Sequence, residues 1–246
     1  MRLEFFDARV WRYLVTSISR VIEEGIFIVD PEEGLTFRAM DPSHVVLVQM
    51  RFPPTAFDVF EVEDKTTIGV NFEDLGKVLR RATKDDRLML SLEDNSFVVT
   101  FRGKGERSFW LPLLDVAAEE VPEPRLEYKA VASIISDAYR DMLKDLELVG
   151  DVITFVASED RLLAISSSET AEVEIAYTME SGSLIELQVE DEQRASYSLE
   201  YFIDLSPAAR VADKITIKFS SAMPVQVDHE LPESAYFGFL VAPRVE

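Results

Sequence analysis

Apolar and polar residues alternate along much of the chain. Leu35, Phe37 and Ala39 mark one strand, Val46, Val48 and Met50 the next, and Leu88, Leu90 and Leu92 another, because a period of two sends alternate side chains to one face of a sheet. The period changes to helical at Trp11, Leu14, Val15, Ile18, Val21 and Ile22, behind a capping Asp7. A shorter helix is predicted to turn Phe72, Leu75 and Val78 inward behind a second cap, Asn71.

The same pattern is written twice. Sliding the chain against itself so that Leu35 falls on Leu162 also brings Phe37 onto Ala164, Ala39 onto Ser166, and Val46, Val48 and Met50 onto Val173, Ile175 and Tyr177. In that register Leu88, Leu90 and Leu92 meet Ile215, Ile217 and Phe219, while Val98 and Thr100 meet Val225 and Val227. The helices recur as well. Tyr139, Met142, Leu143, Leu146 and Val149 form one stripe, a residue out of register, and Leu199, Phe202 and Leu205 follow a capping Ser198. An internal repeat of this kind is an architectural signal. The fold class expected is α+β, two similar duplicated domains with helices on one face of antiparallel sheets. Residues 113–126, with Pro122, Pro124 and several acids, fit neither period and read as a connector. The expected bounds are a first domain at 1–117, a connector at 118–127 and a second domain at 128–246.

The chain has 246 residues, of which 47% are hydrophobic, so each half can bury a core. Its net charge of -21 argues against indiscriminate adhesion to nucleic acid or to anionic membranes. Cysteine is absent, the start of the chain lacks a signal-like apolar run, and no segment approaches the roughly 18 apolar residues of a membrane span. The expectation is an intracellular protein with no membrane partner, cytoplasmic in a prokaryote or nuclear in a eukaryote. His44 and His229 are the only histidines, so no metal site or nucleophile–histidine pair has supporting spacing. Acid pairs such as Glu23–Glu24 and Glu119–Glu120 read as solvated charge, and Gly103–Lys104–Gly105 as a hairpin turn rather than a phosphate loop. The chain is not expected to be an enzyme, and no cofactor is expected.

Within this acidic chain two helices stand out as basic. The first carries Arg9, Arg12 and Arg20 opposite its apolar stripe, with Thr16 and Ser19 rather than acids between them. The second is expected to align Lys77, Arg80, Arg81 and Lys84 on one face. Taken alone, such runs are ordinarily solvated faces. Copy two differs: Arg140 and Lys144 sit among Asp137, Asp141 and Asp145, Asp204, Pro207 and Ala208 replace three of the cations, and Arg210 follows. Another difference concerns apolarity. Val45 and Leu47 occupy outward strand positions whose counterparts are Glu172 and Glu174, so copy one is apolar on both faces there and requires a cover. By this reading a glutamate at position 47 is expected to leave folding intact.

Met40 to Met50 (MDPSHVVLVQM) and Gly69 to Ala82 (GVNFEDLGKVLRRA) resemble the first-domain signature of the proliferating cell nuclear antigen family. Leu240 to Val245 (LVAPRV) is similar to that family's carboxy-terminal motif, and Ala222 to Val225 (AMPV) to the segment beside it. The resemblance implies a DNA sliding clamp, a closed trimer with helices lining a hole and sheets outside, that tethers replication and repair enzymes to duplex DNA. It implies partners: related clamp subunits in a homo- or heterotrimer, a clamp loader, DNA polymerase, flap endonuclease and ligase. It also implies sequence-independent DNA contact by the basic helices, among them Arg9, Arg12, Arg20, Lys77, Arg80, Arg81, Lys84, Arg140, Lys144 and Arg210. A pocket for short client peptides is implied at Met40, His44, Val45, Leu47, Val121, Leu126, Tyr128, Pro224, Leu240, Ala242 and Pro243. Edge-strand signals predict that subunits join by pairing Arg107 to Pro112, through Phe109, Trp110 and Leu111, with Glu172 to Thr178, through Val173, Ile175 and Tyr177. A checkpoint-type clamp subunit and, from other classes, an acidic DNA mimic or a carboxylate hydrolase are the alternatives.

Overall fold

The computed structural model describes residues 1–116, 121–122 and 124–244. The expected Glu119–Glu120 pair, the middle of the connector and Val245 lie outside the described residues. Two compact units form. One is Met1–Pro42 with Val48–Val121 and Leu231–Phe237; the other is Ser43–Leu47 with Pro122–Glu230 and Gly238–Glu246.

The first half of the chain runs β1 (Arg2–Phe5), α1 (Ala8–Val21), β2 (Glu24–Asp30), β3 (Gly34–Met40), β4 (Val46–Phe52), β5 (Val59–Glu61), β6 (Thr66–Asn71), α2 (Phe72–Leu79), β7 (Arg87–Glu93), β8 (Ser96–Arg102) and β9 (Glu106–Pro112). The second runs β10 (Ala130–Ile135), α3 (Ser136–Glu147), β11 (Val152–Ser158), β12 (Arg161–Ser167), β13 (Glu172–Thr178), β14 (Leu184–Val189), β15 (Gln193–Ser198), α4 (Leu199–Leu205), β16 (Lys214–Phe219), β17 (Val225–Glu230) and β18 (Tyr236–Val241). Strand order repeats with the sequence. The run β5-β1-β7-β8 reappears as β14-β10-β16-β17, and β4-β3-β2-β6 as β13-β12-β11-β15. β9 pairs with β8 through the Gly103–Gly105 turn and ends the first unit's five-stranded sheet, as β13 ends its four-stranded one.

Each helix can be traced to its residues. α1 starts where the Asp7 carboxylate accepts from the Arg9 amide at 2.9 Å, and it buries Trp11, Leu14, Val15 and Ile18. α2 starts where Asn71 accepts from the Asp74 amide at 3.1 Å, and it buries Phe72 and Leu75 as expected; its third anchor is Leu79, with Val78 only half-buried. α3 buries Tyr139, Met142, Leu143 and Leu146 and ends at Glu147, before Val149. Ser198 does precede α4, but its side chain makes no capping bond. No helix among the described residues is long and apolar enough to cross a membrane.

Aromatic rings fill both cores. In the first unit Trp11 lies 5.0 Å from Phe52 and Phe37 meets Phe72 edge-on at 5.0 Å, ring centre to ring centre. In the second, Phe155 gathers Tyr197, Phe202 and Phe219. The start of the connector is laid along β6, where the Leu114 amide donates to the Gly69 carbonyl at 3.0 Å. Only glycine permits this approach, since a Cβ at position 69 would sit 2.1 Å from the Leu114 oxygen.

Candidate functional site

The cationic helix faces are less bare than their sequence suggests. Arg9 is held by its own cap, Nη2 lying 2.7 Å from Asp7 Oδ2. Half-buried Arg12 stacks 5.4 Å from the Tyr13 ring centre and donates to the Ala82 carbonyl at 3.4 Å. Lys77 lies 2.9 Å from both Glu73 and Asp74, and the hydrogen bonds it donates, to Asp74 first and Glu73 second, hold its ammonium charged to higher pH than usual. It is therefore opposed by acids of its own helix. Arg20 is exposed in the last turn of α1, and Arg80 is exposed as the residue that caps α2.

The alignment expected of Lys77, Arg80, Arg81 and Lys84 stops short. After Leu79 the amides of Arg81 and Ala82 bond to the carbonyls of Val78 and Leu79, three residues back, so the last turn tightens and the chain leaves the helix. Arg81 and Lys84 thus lie beyond α2, in the turn that leads to β7. That turn is organised by Asp86, which accepts from the Thr83 amide and hydroxyl at 2.8 Å each and from Arg107 Nη2 at 2.6 Å. In the second unit Arg140 pairs with Asp137, Lys144 pairs with Asp141 at 2.7 Å, Ala208 is buried, and Arg210 is exposed in a 3-10 stretch, Ser206–Val211.

The two strands expected at a subunit seam are both sheet edges. On β9, Trp110 is 57% exposed and its indole N–H donates to Glu93 at 3.0 Å, while Phe109 packs 5.8 Å from Phe101 and Leu111 is half-buried. On β13, Val173 and Ile175 are half-buried between exposed Glu172 and Glu174. Tyr177 at the end of that row is buried and donates to the Ala138 carbonyl of α3 at 3.1 Å. Burial, and then the charges of Asp145 and Asp141, push the Tyr177 hydroxyl up to about 12.

Most of the expected client patch falls in the second unit, where a chain of contacts joins its parts. The Ala242 amide donates to the Val45 carbonyl at 2.9 Å, and the Arg244 amide to the Ser196 carbonyl at 2.8 Å. Beside Ser196, the Tyr197 hydroxyl donates to the Met223 carbonyl at 2.9 Å, next to half-buried Pro224. Val45, Leu126, Tyr128, Ala242 and Pro243 are half-buried, and His44 is exposed with a left-handed backbone (φ 58). Leu47 corrects the sequence reading. It is only 7% exposed, as Leu240 is 5%, so both are already covered. Met40 and Val121 belong to the first unit, where Arg38 donates to the Val121 carbonyl at 3.3 Å. Sequence reasoning passed over Tyr197 and Arg244. Tyr197 carried a signal, a tyrosine on the inward row of a strand, where a buried hydroxyl needs a partner.

The residues of both halves match known families. The description "Proliferating cell nuclear antigen, N-terminal domain" fits residues 1–109, and "Proliferating cell nuclear antigen, C-terminal domain" fits residues 122–244. The chain is 41% identical to DNA polymerase sliding clamp 3 of Aeropyrum pernix over all of its own length and 98% of that protein's. It is 33% identical to the DNA polymerase sliding clamp of Thermofilum pendens, with both chains covered in full. Among solved structures, the PCNA2–PCNA3 complex of Sulfolobus tokodaii has a chain that superposes with a TM-score of 0.94 at 30% identity, 100% of each chain being covered. The clamp protein PCNA of Thermococcus kodakaraensis superposes with a TM-score of 0.93 at 29% identity, 99% of each chain being covered.

Proposed function

The chain belongs to the proliferating cell nuclear antigen family and is a DNA sliding-clamp subunit; from that premise we propose how its surfaces divide the work. Subunits join head to tail, β9 of one pairing with β13 of the next, so that Phe109 and Leu111 extend the apolar row of Val173, Ile175 and Tyr177. The ring so formed encloses duplex DNA and acts inside the cell as a processivity factor. Exposed Arg20 and Arg80, with Arg12 beside them, give α1 and α2 a sequence-independent attraction for phosphates. Polymerase, flap endonuclease, ligase and the clamp loader dock by short peptides on the patch around Val45, Tyr128, Pro224, Ala242 and Pro243. Domain bounds of 1–117 and 128–246, joined by a connector at 118–127, complete the reading.

The observation that best supports it is the repeated strand order, in which β9 and β13 each end a sheet. A protein built this way carries its own complement, since exposed edges invite pairing with another chain. Primer extension by a cognate polymerase on a circular template tests the function. With the chain and a clamp loader present, products per polymerase binding event are expected to lengthen; unchanged product length would overturn the proposal.

A further inference from the structure

The connector is held to the first unit at two points. Its start lies along β6, where the Leu114 amide donates to the Gly69 carbonyl, and farther on the Arg38 guanidinium donates to the Val121 carbonyl at 3.3 Å. Arg38 belongs to β3, whose inward row is buried Leu35 and Phe37, so it stands on the opposite row with Thr36 and Met40. A long basic side chain there could extend into water. This one is half-buried and reaches main chain 83 residues further along.

The second copy is a control written into the same molecule. Its tail is tied in the same way, the Arg244 amide donating to the carbonyl of Ser196, which is the counterpart of Gly69. At the position matching Arg38, however, it has Ile165, also half-buried, on β12. The first tether is thus common to both copies. The second belongs to the copy whose tail runs on to Leu126 and Tyr128, two residues of the proposed client patch. A requirement of the fold alone would apply to both.

Resting on the client-patch reading, we propose that Arg38 is a positioning residue for client binding: its bond to the Val121 carbonyl fixes the connector and so orders in advance the segment that carries Leu126 and Tyr128. An unheld connector would have to be ordered when a peptide binds, and that ordering weakens affinity. Holding it beforehand moves the ordering into folding. A guanidinium suits the task, because its planar fork loses less freedom per hydrogen bond formed than a lysine side chain does. The peptide itself need not touch Arg38, which acts through Val121.

Three measurements on the full chain test this assignment: thermal unfolding, limited proteolysis of the connector, and calorimetric titration with a synthetic peptide carrying aliphatic and aromatic anchors. Arg38→Ile, which copies the second half of the chain, is expected to keep the melting temperature, speed cleavage of the connector and weaken peptide binding by about fivefold. Arg38→Lys keeps a donor for the Val121 carbonyl and should recover part of the affinity, which a loss of packing alone would not allow. If Arg38→Ile melts early, Arg38→Gln, which stays polar, is compared in its place. Faster cleavage with unchanged affinity would overturn the assignment, and so would weaker binding with an unaltered connector. Val45→Glu separates that failure from a failure of the client reading. If Val45→Glu loses the peptide while Arg38→Ile keeps it, the client site stands and only the role of Arg38 falls. If neither substitution alters binding, the peptide binds elsewhere and both readings fall.

Discussion

Arg107 and Asp86 form an ion pair at 2.6 Å in which the carboxylate is 3% exposed and the guanidinium lies on the outer strand of its sheet. The pair fastens an edge strand to the turn that follows α2. Burial raises the Asp86 pKa, but the Arg107 hydrogen bond, with those from the Thr83 hydroxyl and amide, outweighs it and leaves the group below its usual value. A depressed carboxylate contributes stability that is present above its unfolded pKa and lost as pH falls through the folded one. Arg107→Met is expected to cost about 2 kcal/mol at pH 7, less than a fully buried pair because the guanidinium is partly solvated. The deficit relative to wild type should shrink below about pH 4, the unfolded carboxylate range. Urea unfolding of both proteins across pH measures it, and a deficit independent of pH would contradict the account.

At Gly69 the clash is with main chain, which cannot swing aside. Gly69→Ala is expected to destabilise the first unit by about 2 kcal/mol, in the range of overpacked sites. Leu114 should also be displaced from β6, making the connector more readily cleaved. Thermal unfolding and limited proteolysis report the two effects separately.

Val45, not Leu47, is the probe for client binding. Leu47 is covered, so Leu47→Glu would bury an unpaired carboxylate and lose stability. Val45 is half-exposed, and its main-chain carbonyl accepts from the Ala242 amide. Val45→Glu is therefore expected to keep the melting temperature and lose about 2 kcal/mol of affinity for a peptide with aliphatic and aromatic anchors. Calorimetric titration decides it; equal binding by wild type and variant would move the client site elsewhere.

For DNA, removing Arg20 or Arg80 should flatten the dependence of binding on salt by about one unit of slope for each phosphate no longer neutralised. Neutralising Arg140 or Lys144, each already paired with an aspartate on its own helix, should change the slope less. Equal losses from both sets, measured by anisotropy over a salt series, would refute the asymmetry.

Tyr139 is fully buried, its hydroxyl has no hydrogen-bond partner among the described residues, and burial raises its pKa well above the usual tyrosine value. Tyr139→Phe removes an unsatisfied polar atom while keeping the ring against His229. Stability should stay level or rise by up to about 1 kcal/mol, as read by chemical denaturation; a substantial loss would mean that the hydroxyl is satisfied.

Much of the fold was legible because its rules are local. Alternation wrote the strands, and Asp7 and Asn71 announced helix starts that the structure places at those residues. Repetition of the pattern carried the repeated strand order. What failed was long-range or depended on winding. No glycine or proline follows Leu79 in the turn after α2, so nothing in the spacing of Lys77, Arg80, Arg81 and Lys84 revealed that the last turn tightens. The ion pairs of Lys77 join groups three and four residues apart and could have been read in advance, had Glu73 and Asp74 been weighed as partners rather than as first-turn acids.

The proposed pairing of β9 with β13 would join unlike edges. A contact made between two different patches, each offered once per molecule, has no twofold axis and no built-in stop. Whether copies close into a circle or wind on as a filament depends on the rotation between successive copies, and nothing in strand chemistry counts them. Small changes far from either edge can thus alter the symmetry of the product without weakening a single seam. With such a seam, oligomer size and seam strength are separate properties, and evolution can tune them apart.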